Sequence, residues 1–290
     1  MPAPIAKALV GIILATGVVA VIVFYIASQR APQEIVVDVP LAPAFVQKVI
    51  GRSSEGRAIE AYTFGSGERH VLFVGGMHGG YEWNSIVLAY EFIDYLKANP
   101  SLVPSNMRVS VIPNVNPDGT FQALQKEGRF ALSDVPSAAD LSHGRFNAHG
   151  VDLNRNFDCK WQPDGSWRGK EVSAGSAPFS EAESRVLRDF VLAVKLAGVV
   201  FWHSQANAVY ASECEAGILP ETLVMMRAYA EAAGYPAVES FDAYTVTGDA
   251  EGWLASIGIP AITVELSTHE TVEWEKNLLG TKALLDYYGK

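Results

Sequence analysis

The stretch HVLFVGGMHGGYEW, residues 70–83, decides the fold. His70 to Val74 is a largely apolar, β-branched run that reads as a buried strand. Gly75 and Gly76 end it and open a glycine-rich loop. From Glu82 to Lys97 the apolar residues Ile86, Val87, Ala89, Tyr90, Ile93 and Leu96 recur at helical spacing. Strand, loop and helix in that order are the repeating unit of an α/β sheet, in which sites form where strands end.

The same alternation continues along the chain. Met107 to Val115 reads as a second strand, followed by a turn at Asn116-Pro117-Asp118-Gly119. Ser180 to Lys195 is helical, with Ser180 and Glu183 spaced as a capping box. Gly198 to Trp202 is a short buried strand, Pro220 to Ala233 a helix, Ala261 to Leu266 a strand and Thr271 to Tyr288 a closing helix. His78, His203 and Glu265 all fall where predicted strands end.

Nearly half of the 290 residues are apolar, enough to bury a full core. With 22 Lys plus Arg against 32 Asp plus Glu, the formal charge is −10, and no basic run offers a footing for nucleic acid. There is no internal repeat and no low-complexity tract.

The N-terminus differs from the rest. Residues 8–27 carry no charge over a length that spans a bilayer as a helix, with Lys7 before them and Arg30 after. Residues 1–30 are therefore expected to be a membrane anchor. A cleaved signal peptide is the alternative, but its apolar region is usually shorter and no clear small-x-small site follows. Lys7 and the N-terminal amine favour a cytoplasmic N-terminus, which puts the following domain outside the cytoplasm. Residues 31–44, with three prolines, read as a linker, and residues 45–290 as one catalytic domain. Two cysteines, Cys159 and Cys214, form a disulfide or remain as buried thiols; export favours the disulfide.

His78 and Glu82 flank a glycine-rich loop, and a third candidate, His203, lies 125 residues on in Phe-Trp-His-Ser-Gln. Two histidines and one carboxylate with an open fourth position make a catalytic rather than a structural zinc set. The other histidines, His70, His143, His149 and His269, lack such partners and read as surface or loop residues. Glu265 sits in an otherwise apolar strand, where a carboxylate is costly to bury, and suits the general base that takes a proton from metal-activated water.

Several motifs in order carry a resemblance: His78 with Glu82, Asn116-Pro117-Asp118-Gly119, Gly150-Val-Asp-Leu-Asn-Arg-Asn-Phe157, Pro178-Phe-Ser-Glu181 and the distant His203. Together they resemble the M14 zinc carboxypeptidases over most of the chain beyond the linker. The resemblance implies a three-layer α/β/α sandwich around a mixed sheet of roughly eight strands, one Zn²⁺, and a peptide substrate. One departure stands out. Three residues, not the family's two, separate His78 from Glu82, and Gly79-Gly80-Tyr81 fills the gap where digestive members have an arginine. Glycines can absorb an extra residue. The absent arginine implies an unlike subsite upstream of the cleaved bond.

The resemblance also assigns roles. Arg145 matches the arginine that polarises the substrate carbonyl, stabilising charge that appears only in the transition state. Asn154 and Arg155 match the pair that holds the substrate's terminal carboxylate. Tyr244, nine residues before Trp253, matches the mobile active-site tyrosine. Seven positions after Tyr244 comes Glu251, expected either on the floor of the pocket for the departing side chain, where it would favour a cationic residue, or in solvent. The implied reaction is hydrolysis of a peptide or amide bond near a free carboxylate. Two rivals stand beside it: the related zinc deacylases of acyl-amino acids, which are typically cytosolic, and an inactive peptide-binding module. Cell-wall stem peptides are one candidate substrate source.

Overall fold

The computed structural model describes residues 45–136 and 140–290. The expected anchor and linker lie outside these residues, and among the described residues no helix is long and apolar enough to cross a membrane.

In chain order the elements are β1 (Phe45–Arg52), β2 (Ala58–Gly65), β3 (Arg69–Val74), α1 (Trp83–Ala98), β4 (Met107–Ile112), α2 (Pro117–Leu124), β5 (Asp164–Trp167) and β6 (Lys170–Ser173). They continue with α3 (Ala182–Ala193), β7 (Leu196–Ser204), β8 (Ala208–Ala211), β9 (Glu213–Cys214), β10 (Gly217–Ile218), α4 (Pro220–Ala233), β11 (Ala237–Val238), α5 (Ala250–Ser256), β12 (Ala261–Leu266) and α6 (Trp274–Gly289). Eight strands form one sheet in the order β1-β2-β4-β3-β7-β12-β8-β11. Its centre, β4-β3-β7-β12, is parallel, while β1, β2 and β8 join antiparallel partners. The mixed α/β sheet expected from the sequence is thus present.

Side-chain alternation divides the core into two. Val71 and Phe73 of β3 and Val200 and Trp202 of β7 face α1, α4 and α6 in one apolar cluster. Their neighbours Leu72, Val74, Val199 and Phe201 face Leu187 and Val191 of α3 and Trp253 and Leu254 of α5 in the other. Central strands buried on both faces are why these segments read as continuous apolar runs.

Three local expectations are corrected. Asn116 to Gly119 is not a free turn but the start of α2: the Asn116 side chain accepts from Gly119 N at 2.9 Å, with Pro117 in the first turn. Ser180 and Glu183 form no capping box. The helix begins after Glu181, and Glu183 instead accepts from Ser54 N at 2.9 Å and Ser54 Oγ at 3.1 Å. That fixes the tip of the β1–β2 hairpin, which Asp118 also holds by accepting from Ser53 Oγ at 2.6 Å and Glu55 N at 2.9 Å. His70 is not a surface residue. It is buried against Ser110 Oγ at 2.8 Å, and burial, with Arg108 nearby, lowers its pKa to about 4.

A disulfide joins Cys159 to Cys214 across 55 residues, with Cα atoms 6.0 Å apart. It ties the loop after the Gly150–Phe157 motif to β9, beside the sheet's parallel core.

Candidate active site

The chain leaves β3 at Val74 and turns over Gly75 and Gly76 to bring His78 above the sheet. Residues Gly79–Glu82 form a single tight turn that returns Glu82 beside His78. Both glycines are sterically required. Gly79 has φ +46°, and a Cβ there would lie 2.6 Å from Gly144 O; one at Gly80 would lie 2.4 Å from Ala123 Cβ. The extra residue in the first motif is absorbed here, and Glu82 still meets His78.

His203 comes from β7 and its register partner on β12 is Glu265, so both project from the same face of adjacent parallel strands. His78 Nδ1 lies 2.8 Å from Glu82 Oε1, His203 Nδ1 lies 2.9 Å from Glu82 Oε2, and the two Nδ1 atoms are 3.2 Å apart. All three side chains are buried. Two imidazole nitrogens aimed at each other across a carboxylate form a nitrogen and oxygen donor set of the kind that holds zinc. Among the described residues this is the group of His, Cys, Asp and Glu placed to hold a metal ion. Burial alone would raise the Glu82 pKa, but the charges of His78 and His203 outweigh it and hold the carboxyl well below the usual range.

All nine residues singled out in the sequence line one cleft of about 500 Å³: His78, Glu82, Arg145, Asn154, Arg155, His203, Tyr244, Glu251 and Glu265. Glu265 keeps part of its surface open to the cleft but is otherwise ringed by protein, and Oε2 accepts from Ala206 N at 3.2 Å. That desolvation, together with the charge of Glu82, raises its pKa to about 7.

Arg145 is buried and doubly held by Asp152, through Nε at 2.9 Å and a terminal nitrogen at 2.7 Å, with its guanidinium 4.7 Å from the Trp167 ring centroid. Burial would raise the Asp152 pKa, but Arg145, His78 and Arg155 together more than offset it and hold the carboxyl well below its usual range. Asp152 also lies 3.4 Å from His78 Nε2. One carboxylate thus holds a candidate carbonyl-polarising group and stands beside a candidate ligand. It stood inside the Gly150–Phe157 motif, yet nothing in its spacing distinguished it from its neighbours.

Asn154 accepts from Ala250 N at 2.9 Å, which anchors the start of α5. The Arg155 guanidinium donates to Asn154 O at 2.6 Å and Ser166 O at 2.9 Å, and lies 5.9 Å from the Tyr244 ring centroid. Gly165 permits this approach, since a Cβ there would meet the Arg155 side chain at 2.8 Å. Tyr244 sits partly exposed on a loop, edge-on to Phe241. Glu251 does not reach solvent. It is 3 % exposed, and its Oε1 lies 3.2 Å from His203 Nε2.

His269, expected as a loop residue without partners, lines the same cleft. It contacts Ser204 Oγ at 2.9 Å, and its ring lies 4.4 Å from that of Tyr81. Tyr81 in turn meets Trp167 edge-on.

The sequence profile described as zinc carboxypeptidase, Peptidase M14, matches residues 41–282. The chain belongs to the M14 zinc carboxypeptidase family.

The chain is 25% identical over 240 residues to gamma-D-glutamyl-L-diamino acid endopeptidase 1 of Lysinibacillus sphaericus, covering 76% of this chain and 60% of that protein. It is 27% identical over 151 residues to carboxypeptidase B of Astacus astacus, covering 49% and 48%. The chain therefore spans less than two thirds of either relative. Its fold is similar to carboxypeptidase A of Helicoverpa armigera, with TM-score 0.62 at 19% identity, covering 84% of this chain and 69% of that one. It is also similar to a murein-tripeptide amidase of Escherichia coli O157, with TM-score 0.56 at 24% identity, covering 84% and 92%. As in the M14 family generally, zinc is the metal that the His78, Glu82 and His203 group fits.

Proposed function

We propose that this M14 protein hydrolyses peptide or amide bonds next to a free carboxylate, with His78, Glu82 and His203 holding one Zn²⁺ and Glu265 as general base. The observation that carries the reading is the convergence of both Nδ1 atoms on Glu82 with Glu265 beside His203 on the next strand. When bound, zinc supplies Lewis acidity to the reacting carbonyl and to the attacking water.

On this reading the protein's own residues divide the work as follows. Glu265 takes the proton of the attacking water at a carboxylate oxygen and delivers it to the departing amine. Arg145, fixed by Asp152, faces the carbonyl oxygen as negative charge develops there. Asn154 and Arg155 receive the terminal carboxylate; Arg155 exchanges backbone carbonyl partners for it. Tyr244 closes over the bound end from its loop. The cleft walls Tyr81, Trp167 and His269 take the acyl side of the substrate.

For the departing residue we favour a side chain carrying an amine. Glu213 and Asp249 line the cleft, and the Lysinibacillus relative is named for diamino acids. A cell-wall stem peptide has that chemistry. We further place the domain outside the cytoplasm, anchored in the bilayer through residues 8–27; the Cys159–Cys214 disulfide and that uncharged stretch support it. Assaying zinc-loaded protein on short peptides beside acyl-amino acids tests the reaction. Turnover of the acyl-amino acids alone would favour the deacylase reading, and turnover of neither an inactive binding module.

A further inference from the structure

We propose that Glu251 is a positioning residue for His203: its buried carboxylate holds the Nε2–H of that imidazole and so turns Nδ1 toward the metal. The inference rests on the zinc peptidase reading. It differs from the sequence expectation, in which Glu251 serves the departing side chain or points to solvent.

An imidazole that gives one nitrogen's lone pair to a metal carries its proton on the other. When the ring is buried, that N–H needs an acceptor, and the acceptor fixes both tautomer and ring orientation. His203 is 2 % exposed, its Nδ1 faces Glu82 and His78, and the acceptor beside its Nε2 is Glu251 Oε1 at 3.2 Å. Thr263 Oγ1, two residues before Glu265 on β12, donates to the same oxygen at 3.3 Å. His78 has Nδ1 on Glu82 and a carboxylate near Nε2, Asp152 at 3.4 Å, though at an angle that makes no hydrogen bond. Each candidate histidine ligand is therefore backed by its own buried carboxylate, one from the Gly150–Phe157 motif and one from α5.

The segment that carries Glu251 is held in place. Phe157 N donates to Gly248 O at 2.8 Å and Gly248 N to Cys159 O at 2.7 Å. Asp249 caps α5 by accepting from Gly252 N at 2.7 Å, and Ala250 N is held by Asn154. The loop that fixes the first turn of α5 is the one the disulfide joins to β9. A carboxylate delivered by so constrained a turn, and buried against a histidine, is placed for that histidine.

The test compares zinc affinity, by chelator competition, in the wild type and Glu251→Gln. The amide keeps the size of the side chain and removes the charge. The expected result is a dissociation constant raised roughly tenfold or more, the range for loss of such a partner, with the metal-free variant as folded as metal-free wild type by circular dichroism. Affinity within about twofold of wild type overturns the proposal, whatever happens to substrate preference. The wild type gives a second reading that needs no variant. In nitrogen-15-labelled, zinc-loaded protein, His203 should be the tautomer protonated at Nε2, with a low-field N–H resonance; protonation at Nδ1 overturns the assignment. If the wild type itself binds no stoichiometric zinc, the peptidase reading fails instead.

Discussion

Glu265 on β12 is the register partner of His203 on β7, two residues brought side by side by parallel strands from segments 62 positions apart. The pairing puts a carboxylate next to a candidate metal ligand without making it one, since Glu265 is not among the three converging side chains. A base must stand near the metal without ligating it, and the register meets both conditions.

The ligand set makes the first prediction. His203→Ala should lose most bound zinc and all turnover. Glu82→Ala is the sharper case, because the loop before Glu82 holds one residue more than the family pattern and the Gly79–Glu82 turn alone returns the carboxylate to His78. Metal analysis of purified variants decides it; stoichiometric zinc in either would remove that residue from the set.

Glu265 must be ionised to accept a proton, so its raised pKa of about 7 has a definite sign. Burial and the charge of Glu82 favour the protonated form, and kcat/KM should fall as pH drops through the pKa. A cation held by His78, Glu82 and His203 opposes the shift, so the acid limb should lie at or below about 7 in the zinc enzyme. A profile of kcat/KM that is flat from about pH 4 to 8 would contradict the assignment.

The disulfide closes a loop of 55 residues and should contribute about 4 kcal/mol through the unfolded chain, on a chain-entropy account. Reduction should lower the urea midpoint accordingly, and mass spectrometry of a non-reduced digest should recover Cys159 joined to Cys214. Free thiols in protein freshly isolated from cells would count against the proposed location outside the cytoplasm.

How far the sequence spoke can be seen residue by residue. The central strands β3, β7 and β12 and the helix Pro220–Ala233 were legible because burial on both faces, or one apolar stripe, leaves a periodic record. His78, His203 and Glu265 were legible because strand ends mark where sites form, and Glu82 because it follows His78 across a glycine-rich loop, as the resemblance implies. The edge strand β1 was not, since most of its side chains are exposed and leave no alternation. Asn116-Pro117-Asp118-Gly119 read as a turn because its residues suit turns and helix starts alike. Glu183 matched a capping box at three residues' spacing, yet a tertiary partner, Ser54, claimed its carboxylate. The pairing of Glu251 with His203 spans 48 residues and two elements, so no local pattern could announce it.

Substrate preference supplies a further prediction. With Glu213 and Asp249 on its walls, the cleft should favour ends bearing an amine. Peptides ending in Lys, Arg or a diamino acid should be cleaved with higher kcat/KM than those ending in Phe or Leu. A library varied only at the last residue measures this, and a preference for bulky apolar ends would show that the acidic wall does not meet the departing side chain.

The most direct measurement compares zinc content and peptide turnover in the wild type and Glu265→Gln, which preserves shape while removing the base. The account predicts the same single zinc per chain in both, with turnover in the variant reduced by more than the ~10²–10⁴ usual for general acid–base catalysis alone, because the carboxylate also stabilises charge near the metal. Near-normal turnover in the variant, with zinc intact, would contradict it.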